Sequence, residues 1–232
     1  MKIEDRVKEI VNSMNLDQKI GQMVQTERMA ISPEQVKEYH IGSVLSGGGS
    51  VPGENNLKDW VDMNQAYWET SSIKDSEHIG VPIIYGVDAI HGHNNVKGAT
   101  VFPHNIGLGG ANDPELIRRI AKITAKEILA SGVEWTFAPT LALAQDARWG
   151  RMYESYSEKP EIVEKYAKEF VEGLQGDLGR DSVIACVKHW LGDGGTYQGI
   201  DQGDTQISEE ELRNLHMRPY IPAINAGTLS VM

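Results

Sequence analysis

Val183-Ile184-Ala185-Cys186-Val187-Lys188-His189 runs five apolar residues straight into a lysine and a histidine. A short, wholly apolar run of this kind reads as a strand buried on both faces. The lysine then stands at the strand's carboxyl end, where burying it unpaired is costly. The same layout recurs upstream. Val81-Pro82-Ile83-Ile84-Tyr85-Gly86-Val87 leads into Asp88, His91 and His93, and Trp135-Thr136-Phe137-Ala138 precedes a charged stretch beginning at Asp146. Two further strand candidates bracket these: Gly42-Ser43-Val44-Leu45-Ser46, ending in three glycines, and the segment Thr228-Leu229-Ser230-Val231-Met232.

Helical signals fall between the strands. Ile3, Val7, Ile10, Val11 and Met14 recur at helical spacing near the start. Asp113-Pro114-Glu115 reads as an N-cap followed by proline at the first helical position, with Leu116, Ile120, Ile123 and Ile128 turned inward and a stop at Gly132. Pro160 to Leu174 places Val163, Tyr166, Phe170, Val171 and Leu174 on one face. Ser208 and Glu211 form a capping box stapled by Ile207 and Leu212, opening a helix expected to end near Gly227. Apolar strands alternating with helices predict an α/β fold with a parallel sheet. Polar clusters after successive strands match the active-site end of a (β/α)8 barrel. A doubly wound sheet is the rival, but its Gly-x-Gly-x-x-Gly is missing after the first strands. The fold predicted is therefore TIM-barrel-like and incomplete, because about five strands fall short of eight.

Composition bounds the function. With 22 Lys and Arg against 33 Asp and Glu, the net charge of −11 and the absence of a basic cluster argue against nucleic acid or an anionic membrane as partner. No apolar run approaches a membrane span. The single cysteine, Cys186, rules out a disulfide framework and a Cys-based structural zinc site. Met1-Lys2-Ile3-Glu4-Asp5-Arg6 lacks the apolar core of a signal peptide, so the chain as written is expected in the cytoplasm; a removed leader is compatible with a periplasmic or secreted protein.

Three segments carry the chemistry. In Asp88-Ala89-Ile90-His91-Gly92-His93, the aspartate can accept hydrogen bonds from neighbouring hydroxyls, as a sugar offers, or serve as a turn residue. His91 and His93 share a side if the segment is extended. With Lys188 they suit a metal-dependent hydrolase, but a third and fourth ligand are not evident, and structural histidines are the favoured reading. Asp146 to Tyr156 packs two arginines, two acids and three aromatics into eleven residues. Arginine forks match paired oxygens and aromatic faces match sugar C–H surfaces, while the bland reading is an ion-pair network bracing a loop. Lys188-His189-Trp190-Leu191-Gly192-Asp193-Gly194-Gly195-Thr196 places a Lys-His pair between a buried strand and a glycine-rich turn.

Together, Tyr85-Gly86-Val87-Asp88-Ala89-Ile90-His91-Gly92, Arg148-Trp149-Gly150-Arg151-Met152-Tyr153-Glu154-Ser155-Tyr156 and Lys188-His189-Trp190-Leu191-Gly192-Asp193-Gly194 resemble the family 3 glycoside hydrolases, specifically the β-glucosidase and exo-β-glucanase branch. Leu16-Asp17-Gln18-Lys19-Ile20-Gly21-Gln22-Met23 and Phe102-Pro103 match as well, in family order over nearly the whole chain. The resemblance implies that Asp88, Arg151, Lys188 and His189 bind the hydroxyls of the terminal non-reducing sugar, with Glu154 orienting Arg151 from behind. It implies retaining hydrolysis by two carboxylates about 5–5.5 Å apart, without metal or organic cofactor. The N-acetylglucosamine-removing branch carries an Asp-x-His pair after the Lys-His strand. Residues 194–205 hold no histidine, which favours the glucosidase branch.

The nucleophile of the family lies in a Ser-Asp-Trp segment on a later strand, and the usual acid/base glutamate in a second domain. Lys58-Asp59-Trp60 lies upstream of all three clusters and is not that strand. Residues 1–232 are thus expected to be the N-terminal portion of a barrel domain, completed by the rest of the barrel and a second α/β domain. The expected activity of the parent enzyme is release of glucose from the non-reducing ends of β-glucosides and β-glucan oligosaccharides. The 232 residues alone are expected to be inactive. The rivals are a non-catalytic sugar-binding module and the metal-dependent hydrolase built on His91, His93 and Lys188.

Overall fold

The computed structural model describes residues 2–232, which form two compact units. The first takes in the residues up to Val87 together with Ser131–Val133. It opens with α1 (Ile3–Ser13) and α2 (Leu16–Gln22), the latter started by a capping box in which Asn15 and Gln18 each accept from the other's backbone N–H. Then follow β1 (Gln25–Glu27), α3 (Pro33–Glu38), β2 (Ser43–Ser46), α4 (Leu57–Ser71) and β3 (Ile84–Val87). The three strands are parallel and pair in chain order, Gln25 with Ser43 and Ser43 with Ile84. Val36, Val44, Trp60, Tyr67, Tyr85 and Val87 are the buried centre of this unit.

Two features differ from the sequence reading. Strand β1 is an additional strand, and its residues Gln25, Thr26 and Glu27 give no apolar signal. Helix α1 forms where the periodicity places it, yet none of its residues is buried. Val7, Ile10 and Val11 instead line an open groove of ≈ 490 Å³ with Met14, Met23 and Val81.

The second unit comprises Asp88–Ala130 and Glu134–Met232. It holds α5 (Asn105–Ala111), α6 (Pro114–Ala130), β4 (Trp135–Thr136), α7 (Pro160–Gln175), β5 (Ile184–Val187), α8 (Glu209–Asn214), α9 (Tyr220–Asn225) and β6 (Ser230–Val231). Strands β4, β5 and β6 are parallel, with Trp135 opposite Ile184 and Cys186 opposite Ser230. Helix α7 buries the expected Val163, Tyr166, Phe170, Val171 and Leu174. Its Gln175 is buried but satisfied: Nε2 donates to the Gly227 carbonyl (2.8 Å), while Oε1 accepts from the N–H of Ala185 (3.2 Å) and of Leu229 (3.1 Å). One side chain therefore ties the helix to β5 and to the approach of β6.

Helix α6 starts where Asp113 caps it, its Oδ1 accepting from the Leu116 N–H at 3.0 Å. Its inner face is Ile117, Ile120, Ala121, Thr124, Ala125 and Ile128. Ile123 is 42% exposed and Leu116 half-buried, so the stripe lies about one residue round from the expected one. Packing against α7 selects it, with Arg118 reaching across to Glu169 and Glu172. The capping box of Ser208 and Glu211 is present, but the single helix expected up to Gly227 is two, α8 and α9. Pro219 and Pro222 lie in the later part of that span, and neither has an N–H for an unbroken helical ladder.

Parallel strands alternating with helices make this an α/β fold. Among the described residues there are six strands, against the eight of a closed barrel, and the fold is an incomplete TIM-barrel-like domain. No helix among the described residues is long and apolar enough to cross a membrane.

Candidate active site

The site lies wholly within the second unit. Lys188 follows β5 directly, and the segment after β4 grips its backbone. Its N–H donates to the Pro139 carbonyl (3.1 Å) and its carbonyl accepts from the Leu141 N–H (2.7 Å). The side chain is 3% exposed and its Nζ donates to Asp88 Oδ1 at 2.6 Å. Asp88 is held beside it because the next residue, Ala89, donates its N–H to Thr136 Oγ1 at 3.2 Å. A buried ammonium needs such a partner. The aspartate is 33% exposed, which leaves part of its carboxylate open to a ligand.

A second charged chain runs through the neighbouring loops. Arg151 donates from Nε and Nη2 to the two oxygens of Glu154, each at 2.7 Å. This two-point fork fixes the guanidinium plane. The bonds to Glu154 hold Arg151 above its ordinary pKa. Glu154 is 5% exposed, with its carbonyl accepting from Asn105 Nδ2 at 2.8 Å. Arg151 Nη1 faces His189 Nε2 at 3.5 Å, and His189 Nδ1 meets Asp193 Oδ2 at 2.6 Å. Arg151, His189, Asp193, Thr196, Asp201 and Gln202 are among the residues lining a cleft of ≈ 310 Å³. That is the small end of ligand-pocket sizes, about 300–1,000 Å³. The buried Thr196 hydroxyl in its wall has no hydrogen-bond partner among the described residues. Asp201 is anchored through Oδ1 to the indole N–H of buried Trp149, 3.0 Å away.

The residues expected at the site thus form two assemblies. Asp88 and Lys188 pair with each other. Arg151, Glu154 and His189 join a chain that ends at Asp193. The second arginine of the Asp146–Tyr156 segment, Arg148, is spent on Asp146 at the surface (Nη2 to Oδ2, 2.6 Å). Asp193 and Asp201 had no role in the sequence reading. The signal for Asp193 is its place four residues after His189; for Asp201, whose partner is 52 residues away, the sequence offers none.

His91 and His93 are placed differently from a ligand pair. His91 stacks on His104, with ring centroids 4.9 Å apart, and both rings abut Tyr153. His93 is fully buried. Among the described residues no three His, Cys, Asp or Glu are grouped to hold a metal ion. Burial pushes the His93 imidazole down to about 4. Its unfolded counterpart titrates near 6.5, so the unfolded chain binds more protons between those values. The stability that depends on neutral His93 is whole above about pH 6.5, falls as the pH drops, and is lost below about 4, roughly 3 kcal/mol in all. Burial lowers His91 and His216 as well, in the same sense. In denaturant titrations across this window, a His93→Gln variant is expected to show a shallower loss of stability than the parent. Equal slopes would refute the assignment.

The chain is similar to proteins of known activity. An exo-1,3/1,4-β-glucanase from a Pseudoalteromonas species superposes with a TM-score of 0.93 at 44% identity, over 99% of this chain and 30% of its own. A β-glucosidase from Listeria innocua, solved with isofagomine, gives 0.82 at 32% identity, over 100% of this chain and 32% of its own. A lysosomal β-glucosidase of Dictyostelium discoideum is 31% identical over 97% of this chain, which spans 30% of that protein's length. Residues 15–232 match the glycosyl hydrolase family 3 N terminal domain, and the chain belongs to that family.

Proposed function

We propose that the protein is a retaining, exo-acting β-glucosidase that releases glucose from the non-reducing ends of β-glucosides and β-glucan oligosaccharides. The observation that carries this is the pairing of Lys188 with Asp88 beside the chain Glu154–Arg151–His189–Asp193. A sugar ring presents adjacent hydroxyls that both donate and accept. The half-open Asp88 carboxylate suits two such hydroxyls, and Lys188 and Arg151 add charged donors. Each hydrogen bond to a charged group contributes about 1.5–3 kcal/mol when water is excluded. Asp88, Arg151, Lys188 and His189 are the proposed sugar-binding residues, and Glu154 holds Arg151 without touching the sugar.

Each carboxylate described at this site already has a protein partner. Asp88 is paired with Lys188, Glu154 with Arg151, Asp193 with His189, and Asp201 with the Trp149 indole. We place the two catalytic carboxylates outside residues 1–232, in the remainder of the barrel and a second domain. The chain spans 30% of the Dictyostelium discoideum β-glucosidase, so the relative has ample further sequence to supply them.

The test assays an aryl β-glucoside with the full-length protein and with residues 1–232 alone, following the product anomer by NMR. Full-length protein is expected to release glucose first as the β-anomer, and residues 1–232 to show no turnover. Failure of the full-length protein to cleave any β-glucoside refutes the function. Turnover by residues 1–232 refutes the placement of the carboxylates.

A further inference from the structure

The structure assigns Asp193 as a positioning residue that fixes His189 as a hydrogen-bond acceptor, and so sets which partner a sugar hydroxyl must be at that point of the cleft. This rests on the reading of the cleft as a sugar site, and it adds the polarity of the contact and the residue that imposes it.

Asp193 Oδ2 lies 2.6 Å from His189 Nδ1. An ionised carboxylate only accepts, so Nδ1 carries the proton. The other ring nitrogen, Nε2, faces Arg151 Nη1 at 3.5 Å. A guanidinium only donates. A proton on Nε2 would set donor against donor, and on a doubly protonated ring it would also set cation against cation. Glu154 keeps Arg151 charged, so that side of the contact does not adapt. His189 is therefore the neutral Nδ1–H tautomer, with its lone pair on Nε2 turned to the Arg151 side of the cleft.

The turn that carries Asp193 is pinned. A Cβ on Gly194 would lie 2.5 Å from the Leu143 carbonyl oxygen, and one on Gly195 would lie 2.4 Å from the His216 ring. The Gly194 carbonyl also accepts from the Gln145 N–H at 2.9 Å. The turn backbone thus sits hard against its neighbours, and the carboxylate presented to Nδ1 has a fixed origin. Of the four proposed sugar-binding residues, Lys188 and Arg151 then donate, whereas Asp88 and His189 accept. A sugar hydroxyl that takes the Nε2 lone pair from the long 3.5 Å Arg151 contact has to donate. Fluorine, which can accept but not donate, is rejected there as strongly as hydrogen.

Two measurements on the full-length protein test this. The first is 15N NMR of ring-labelled histidine, with His189→Gln to assign the resonance. Near neutral pH, His189 is expected to show a protonated Nδ1 and a bare Nε2, with the balance moving toward Nε2–H in Asp193→Asn. A bare Nδ1 or a doubly protonated ring in the parent protein overturns the inference. The second is inhibition by glucose and its singly deoxy and singly deoxyfluoro analogues. At one hydroxyl, both replacements are expected to weaken binding at least tenfold in the parent protein, whereas in Asp193→Asn the deoxyfluoro analogue at that position is expected to lose less than threefold. Retention of binding by every deoxyfluoro analogue overturns the inference as well. If no β-glucoside is cleaved, the proposed function fails while the NMR result still decides the tautomer.

Discussion

Lys188→Met lowers kcat/KM of the full-length protein for an aryl β-glucoside by at least about 100-fold, or about 2.7 kcal/mol of transition-state stabilisation. Methionine is unbranched and roughly fills the space of the lysine stem, so packing around the 3%-exposed side chain survives. What disappears is the charge. Asp88 loses the donor 2.6 Å away, and the sugar loses a desolvated cation. Because Asp88 is 33% exposed, water takes over part of its solvation and the cost to folding is modest. The activity loss is therefore expected with a near-parental circular dichroism spectrum and melting temperature. Lys188→Arg is not a rescue, since the guanidinium has no room in so closed a site. Parental kcat/KM in a folded Lys188→Met protein would show that this pair does not serve the substrate.

Glu154→Ala is expected to damage both stability and activity. It removes a 5%-exposed carboxylate and leaves the Arg151 guanidinium without its two 2.7 Å acceptors. Breaking a fully buried pair costs about 3–5 kcal/mol. Arg151 is 28% exposed and recovers some hydration, so about 2 kcal/mol is expected here. The freed guanidinium also loses its fixed plane, and with it the contact to His189. Glu154→Gln keeps one acceptor and should fall between parent and alanine variant in both melting temperature and kcat/KM. If Glu154→Ala melted and turned over like the parent, Glu154 would not be holding Arg151 for function.

The parts of this structure that were legible in the sequence are those decided locally. Val183–Val187 announces β5 because five apolar residues leave no alternative face. The Asp113 and Ser208 caps are readable because each closes within three residues. The inner face of α6 is not local: Ile117 and Ile123 are equally apolar, and only packing on α7 turns one in and leaves the other out. Strand β1 is invisible because Gln25, Thr26 and Glu27 form it through pairing with β2. The site shows the same division. Asp88, Arg151, Lys188 and His189 could be named from their positions after strands and from the family resemblance. That Lys188 bonds Asp88, a hundred residues away, is set by the fold. So is the choice of Arg151 over Arg148 to line the cleft, and the anchoring of Asp201 by Trp149.

The position of the bound sugar is the most direct test of these roles. A crystal structure of the full-length protein with glucose bound is expected to show the ring hydrogen-bonded by Asp88, Lys188, Arg151 and His189, with Glu154 behind Arg151 and out of contact with the ligand. Glucose bound elsewhere while these four residues keep only one another as partners would contradict it.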